Sequence, residues 1–170
     1  MASTSDIWTD AFGRIKEEVH AVLDGIDERH LGFRPDPDAN SVAWLIWHLT
    51  RVQDDHIAGA AGMQQVWTTQ GWNERFGLPF DPSAHGYGQS SEDVAALGDI
   101  PAEKLLGYYD AVHEQTLQYV GNLSEADLDR IVDENWDPPV TLAARLVSVL
   151  DDDLEHAGQA AFVKGALGRS

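Results

Sequence analysis

The chain contains no cysteine. That absence excludes disulfides, thiolate metal sites and an internal thiol nucleophile, so any thiol chemistry needs a thiol supplied from outside. Basic residues are scarce as well: 11 Lys and Arg stand against 29 Asp and Glu, a formal charge of −18. Phosphate backbones and anionic lipid surfaces repel such a chain, which argues against nucleic acid and membranes as partners. No apolar run approaches the ~20 residues that span a bilayer. The opening segment, MASTSDIWTDAFGRIKEE, lacks the basic start and apolar stretch of a secretory leader, so the expected location is the cytoplasm. Sustained strand-like alternation, internal repeats and low-complexity tracts are missing too. What remains fits a single domain over residues 1–170, long enough to bury roughly two-thirds of the surface it exposes unfolded.

Helical periodicity is present almost throughout. Ile7, Ala11, Ile15, Val19, Val22, Leu23 and Ile26 recur at steps of three and four, the stripe of an amphipathic helix over 6–27. Pro35 and Pro37 break the pattern, and Asn40 or Ser41 caps a second helix over 42–62 that is apolar nearly all round its first half. Residues 67–100 mix Trp67, Trp72, Phe76, Phe80 and Tyr87 with glycine and proline. They read as a long ordered connection with short helical turns at 73–76 and 91–97, the kind of segment that often forms a lid or binding loop. A third helix begins at Pro101, a short one follows the capping box Ser124-Glu125-Ala126-Asp127, and the last runs from Leu142 to Val163 behind Thr141. Four long helices with one long crossover between the second and third predict an all-α four-helix bundle.

Seven histidines are distributed along these elements. His20, His30, His85 and His113 have no ligand-type neighbour at helical spacing, and ordinary surface or hydrogen-bonded roles suit them; His85, in the Gly/Pro-rich connection, is the one of these placed to touch a ligand. His48 sits among Trp44, Leu45, Ile46, Trp47 and Leu49, where a buried imidazole needs a hydrogen-bond partner or must stay uncharged. The last helix carries Asp151-Asp152-Asp153-Leu154-Glu155-His156. Asp152 and His156, four apart, share one face, as paired metal ligands on a helix do. The same spacing also suits an intrahelical ion pair on a solvated acidic face. Asp153, three residues from His156 and nearer the centre of the apolar arc, is a rival ligand. Asp55 and His56 stand about two turns beyond His48, some 11–12 Å, too far to share its metal; a plain surface role suits both, with support for the site or its mouth as the other reading.

The segments WLIWHLTRVQDDHIAG and DDDLEHAGQAAFVKG, with GYYDAVHEQTL, LSEADLDRIV and WDPPVTLAARLVSVL between them, resemble the DinB/YfiT-like superfamily of metal-binding four-helix proteins, in particular its actinobacterial mycothiol-dependent transferase branch. The likeness covers nearly the whole chain. It implies a DinB-like bundle whose metal ligands are His48, Asp152 and His156, with Gly158 and Gln159 completing the motif. Many members have a third histidine where this chain has Asp152; the related maleylpyruvate isomerases carry an acid there.

Three protein ligands, His2Asp, leave a coordination position open, as catalytic metals require. Zn2+ is the first choice, with Ni2+ and Fe2+ compatible. The resemblance implies that mycothiol binds such an ion as thiolate and attacks a small electrophile, with His48, Asp152 and His156 as the catalytic centre. Trp67, Trp72, Phe76 and Tyr87 could wall the pocket, and Arg51, one turn beyond His48, could hold an anionic group of the substrate. The aromatics also suit plain core packing, and Arg51 an ion pair inside the bundle. The same triad suits a non-haem iron oxygenase, and a non-enzymatic metal-binding or stress protein is a third reading. The resemblance also suggests a homodimer.

Overall fold

The computed structural model describes residues 2–167. Four long helices form the bundle: α1 (Thr4–Leu23), α3 (Val42–Ala61), α7 (Ala102–Val120) and α8 (Leu142–Leu167). Between them lie four short helices: α2 (Glu28–Leu31), α4 (Val66–Thr69), α5 (Trp72–Phe76) and α6 (Ser91–Ala95). A 3-10 turn, Glu125–Asp129, leads into a two-stranded antiparallel ribbon of β1 (Ile131–Asp133) and β2 (Val140–Thr141). The all-α expectation holds, with this ribbon as the one strand element among the described residues.

Local chemistry sets the helix ends. Ser3 and Asp6 close a capping box on α1, Ser41 accepts from the Trp44 amide at the start of α3, and Thr141 accepts from the Ala144 amide at the start of α8. α1 ends at Leu23 rather than near residue 27. Gly25 turns the chain with φ +62°, and Asp27 then caps α2 by accepting from the Arg29 amide.

α3 packs against both α7 and α8, and α1 against the same two helices from the opposite side. α3 is therefore the central element, buried on every face from Val42 to Asp54. Its run Val42-Ala43-Trp44-Leu45-Ile46-Trp47 has no polar side to turn outward, so the bundle closes round it. Arg51 meets Tyr108 and Ala60 meets Tyr119, so α3 and α7 run parallel. Parallel neighbours cannot be joined by a tight turn. The chain must return along the bundle between them, and residues 62–101 make that return.

Buried polar groups hold the return segment in place. Asp54, 1 % exposed, accepts from the Val66 and Trp67 amides at 2.9 and 2.8 Å and from the Tyr108 hydroxyl at 2.8 Å. These bonds satisfy orphan amides at the start of α4 from a neighbouring helix. Burial nevertheless raises the Asp54 carboxyl above its ordinary range, against the pull of those three bonds. The Arg51 side chain lies 3.7 Å away.

Candidate metal centre

α3 and α8 run antiparallel, with His48 beside His156 at one level and His56 beside Arg145 at another. At the first level the structure gathers His48, Asp152 and His156, each offering one ligand atom within 4.8 Å of the others. His48 Nε2 lies 3.9 Å from Asp152 Oδ2, and His156 Nδ1 lies 3.4 Å from the same oxygen. The two imidazole centroids are 4.6 Å apart.

Each histidine is oriented by a backbone carbonyl. Nδ1 of His48 bonds to the carbonyl oxygen of His85, and Nδ1 of His156 to that of Asp152 at 2.7 Å. For His48, donation from Nδ1 leaves Nε2 as a bare lone pair facing Asp152, the tautomer a metal ligand needs. Trp44 stacks on the His48 ring at 4.5 Å with 13° between planes, and Tyr87 meets it edge-on at 5.2 Å. The Tyr87 hydroxyl donates to Asp152 Oδ1 at 3.2 Å. Asp152 Oδ2 is buried, and its nearest donor is His156 Nδ1 at 3.4 Å, a long contact shared with the Asp152 carbonyl.

The electrostatics follow from these contacts. Burial drives the His48 pKa down to about 4, outweighing the bond to the His85 carbonyl, so its Nε2 is unprotonated at neutral pH. Burial also lowers His156, but its bonds to the Asp152 side chain and carbonyl win and hold it above the ordinary histidine value. Asp152 is the counterpart. Burial raises it, and the bond and charge of His156 more than reverse that. Two imidazoles and a buried carboxylate oxygen, converging from two helices, fit a divalent cation.

The sequence matches a family model for the DinB superfamily over residues 11–160. The chain belongs to the DinB superfamily. Its fold is similar to the crystal structure of a conserved protein from Enterococcus faecalis, with 28% identity, a TM-score of 0.88 and 96% of each chain covered. No curated protein matches the chain. Within this DinB bundle the rival acid is accounted for by helical angle. Asp153 has 0 % exposure and turns into the core, where neither carboxylate oxygen has a partner, while Asp152 faces the α3–α8 groove.

The other expected pocket residues sit elsewhere. Arg51 is completely buried and stands over the Trp67 ring at 5.0 Å; its Nε donates to the Ala84 carbonyl at 3.2 Å and its NH1 to Gln65 and Tyr108 at 2.9 and 3.2 Å. Trp67 and Trp72 pack with Phe76 around Tyr108, and a Cβ at Gly107 would stand only 2.9 Å from the Trp72 ring. These residues anchor the return segment and do not join the histidines. Of the four aromatics, Tyr87 alone contacts the metal-site residues.

Residues 82–89 form a strap across the site. The Trp67 indole donates to the Pro82 carbonyl, Arg51 to that of Ala84 and Trp44 to the Gln89 side chain, while His85 and Tyr87 hold His48 and Asp152. Gly86 is what lets the strap approach: at φ +112°, a Cβ there would lie 2.1 Å from His48 Nδ1. The glycines of this segment and a His85 placed to touch a ligand are visible in the sequence, whereas the His85 carbonyl and the missing Cβ of Gly86 are not. The available signal was the run His85-Gly86-Tyr87-Gly88, two glycines bracketing an aromatic.

Proposed function

We propose that the protein uses a divalent ion, Zn2+ as first choice, to activate a low-molecular-weight thiol for attack on a small electrophile. The observation that carries this reading is the buried Asp152 Oδ2 between two histidines, 3.9 Å from His48 Nε2 and 3.4 Å from His156 Nδ1. Among the described residues no fourth His, Asp or Glu joins the group, which leaves room for an exogenous ligand. An ion bound there acidifies a thiol and presents it as thiolate at neutral pH.

The chain's own residues supply position and shielding. His48 is fixed through Nδ1 by the strap, and Tyr87 fixes Asp152 through Oδ1. Trp44 covers the face of the His48 ring and keeps water from that side. In the transfer, a carbon–sulfur bond forms, the leaving group departs with its electron pair, and the thiol proton passes to solvent. The absence of cysteine is consistent with an exogenous thiol. Mycothiol is the finer reading, supported by the resemblance of the His48 and Asp152–Gln159 segments to the mycothiol-dependent branch. The His2Asp set also supports a non-haem iron oxygenase as a second reading.

Thiol consumption in the presence of chloronitrobenzene tests the proposal. Zinc-loaded protein is expected to deplete thiol, and chelation or His48→Ala to abolish that depletion. Iron content with oxygen-dependent turnover would favour the second reading, and a loaded protein that consumes no thiol would leave a metal-binding protein without transfer activity.

A further inference from the structure

Whether an ion in this group keeps a free position depends on one side chain. Carboxylates bind cations through one oxygen or through both. Two imidazoles and a single oxygen of Asp152 make three ligands and leave a tetrahedral ion open; two imidazoles and both oxygens make four and close it. The two oxygens of Asp152 are not equivalent. Oδ2 lies buried between His48 and His156. Oδ1 accepts from the Tyr87 hydroxyl at 3.2 Å. An ionised carboxylate has no proton to give, so the direction of that bond is settled: Tyr87 donates.

The donor is delivered by the strap, 65 residues from Asp152 in the chain. Gly86 and Gly88, on either side of Tyr87, have φ of +112° and +72°, backbone conformations that glycine adopts without penalty. The Tyr87 ring meets His48 edge-on at 5.2 Å and His85 edge-on at 4.9 Å. Two imidazoles thus hold the ring and aim its hydroxyl, although the residue is 58 % exposed. Among the described residues, Tyr87 is the one side chain that donates to Oδ1.

We propose that Tyr87 is a positioning residue: by occupying Oδ1 it limits Asp152 to one oxygen on the ion and so keeps a coordination position free for the exogenous ligand. This rests on the metal reading of the group, whichever ligand then enters. Without the hydroxyl, Oδ1 turns to the ion and competes for the position the ligand needs. Two effects follow: the ion is held at least as tightly, and the incoming ligand more weakly. A hydroxyl that only steadied Asp152 would act differently. Its loss would weaken the ion and leave ligand binding to the loaded protein unchanged.

Co2+ in place of zinc makes both quantities visible, because its absorption reports coordination geometry and gains a charge-transfer band when a thiolate binds. Parent protein and Tyr87→Phe, which keeps the ring between the imidazoles, are titrated with Co2+ and then, at saturating Co2+, with 2-mercaptoethanol. Tyr87→Phe is expected to bind Co2+ no more weakly than the parent, to differ from it in spectrum before thiol is added, and to bind the thiol about tenfold more weakly. Weaker Co2+ with unchanged thiol affinity makes the hydroxyl a support for Asp152 alone and overturns the proposal. Weaker thiol with an unchanged thiol-free spectrum puts the hydroxyl on the thiol and overturns it too. Identical behaviour of the two proteins overturns it while the metal reading stands. A parent that binds Co2+ but no thiol has no open position, and a parent that binds no Co2+ refutes the metal reading; either result takes the proposal with it.

Discussion

Nδ1 of His48 meets the backbone carbonyl of His85, 37 residues further along the chain. That bond ties the most deeply buried of the three metal-site residues to a loop, so the return segment serves the site as well as the topology. Gly86 makes the approach possible, since any Cβ there would collide with the imidazole. Gly86→Ala is therefore expected to weaken metal binding about 10–100-fold, the range for loss of a ligand's supporting contact, with helical content retained. Gly88→Ala is the control. It too has positive φ, at +72°, but a Cβ there meets nothing, so it should cost stability of about 1 kcal/mol and leave metal affinity alone. Metal titration alongside circular dichroism distinguishes the two.

Metal uptake should depend on pH through His156. In the metal-free protein burial keeps His48 unprotonated down to about pH 4, whereas Asp152 holds a proton on His156 above the ordinary histidine range. Binding must expel that proton. Affinity is expected to rise about tenfold per pH unit below the His156 pKa and to level off above it. Asp152→Asn shifts the break to lower pH while weakening binding. Isothermal titration in buffers of different ionisation enthalpy counts the released proton; no release near neutral pH would contradict this assignment.

Asp153 should make the metal-free protein less stable as pH rises. Burial, with Asp152 adding to it, raises its carboxyl well above the usual range, and neither oxygen has a partner. Above the ordinary aspartate pKa the unfolded chain loses this proton and the folded chain keeps it. Stability from this group is therefore full at acid pH and declines on the way to neutral, by at most about 1.4 kcal/mol per pH unit. Asp153→Asn is expected to flatten that decline and raise stability at pH 7. Urea unfolding of both proteins at pH 5 and pH 7 measures the difference.

Arg51 contributes to the bundle rather than to the metal group. Removing it leaves Asp54 buried without its cation, so Arg51→Met is expected to destabilise by about 3–5 kcal/mol. The fraction that folds should bind metal as the parent does. A variant of normal stability with lost substrate affinity would instead return Arg51 to the substrate.

Much of this was legible in the residues, for reasons that differ by element. The four long helices announce themselves because periodicity over about twenty residues survives local exceptions. His48 and His156 stand out as histidines within core-forming stretches. The apolar arc puts Asp153 deeper in the bundle, in keeping with its complete burial. The group forms in the groove facing α3, one residue back on the helix, at Asp152. The strap was hidden because a carbonyl oxygen and a missing Cβ leave no side-chain signature. From the residues alone Arg51 suits either a substrate contact or an ion pair inside the bundle, because its partners Ala84, Gln65 and Tyr108 are brought to it only by the return segment. The ribbon of β1 and β2 has three and two residues, too few for alternation to register.

The central claim is that α3 and α8 jointly hold one cation, and zinc titration of metal-free protein against a competing chelator tests it most directly. The expected result is one ion per chain, lost in His48→Ala, His156→Ala and Asp152→Ala and retained in Asp153→Ala. Failure to bind a stoichiometric ion, or binding that survives His48→Ala, would contradict it.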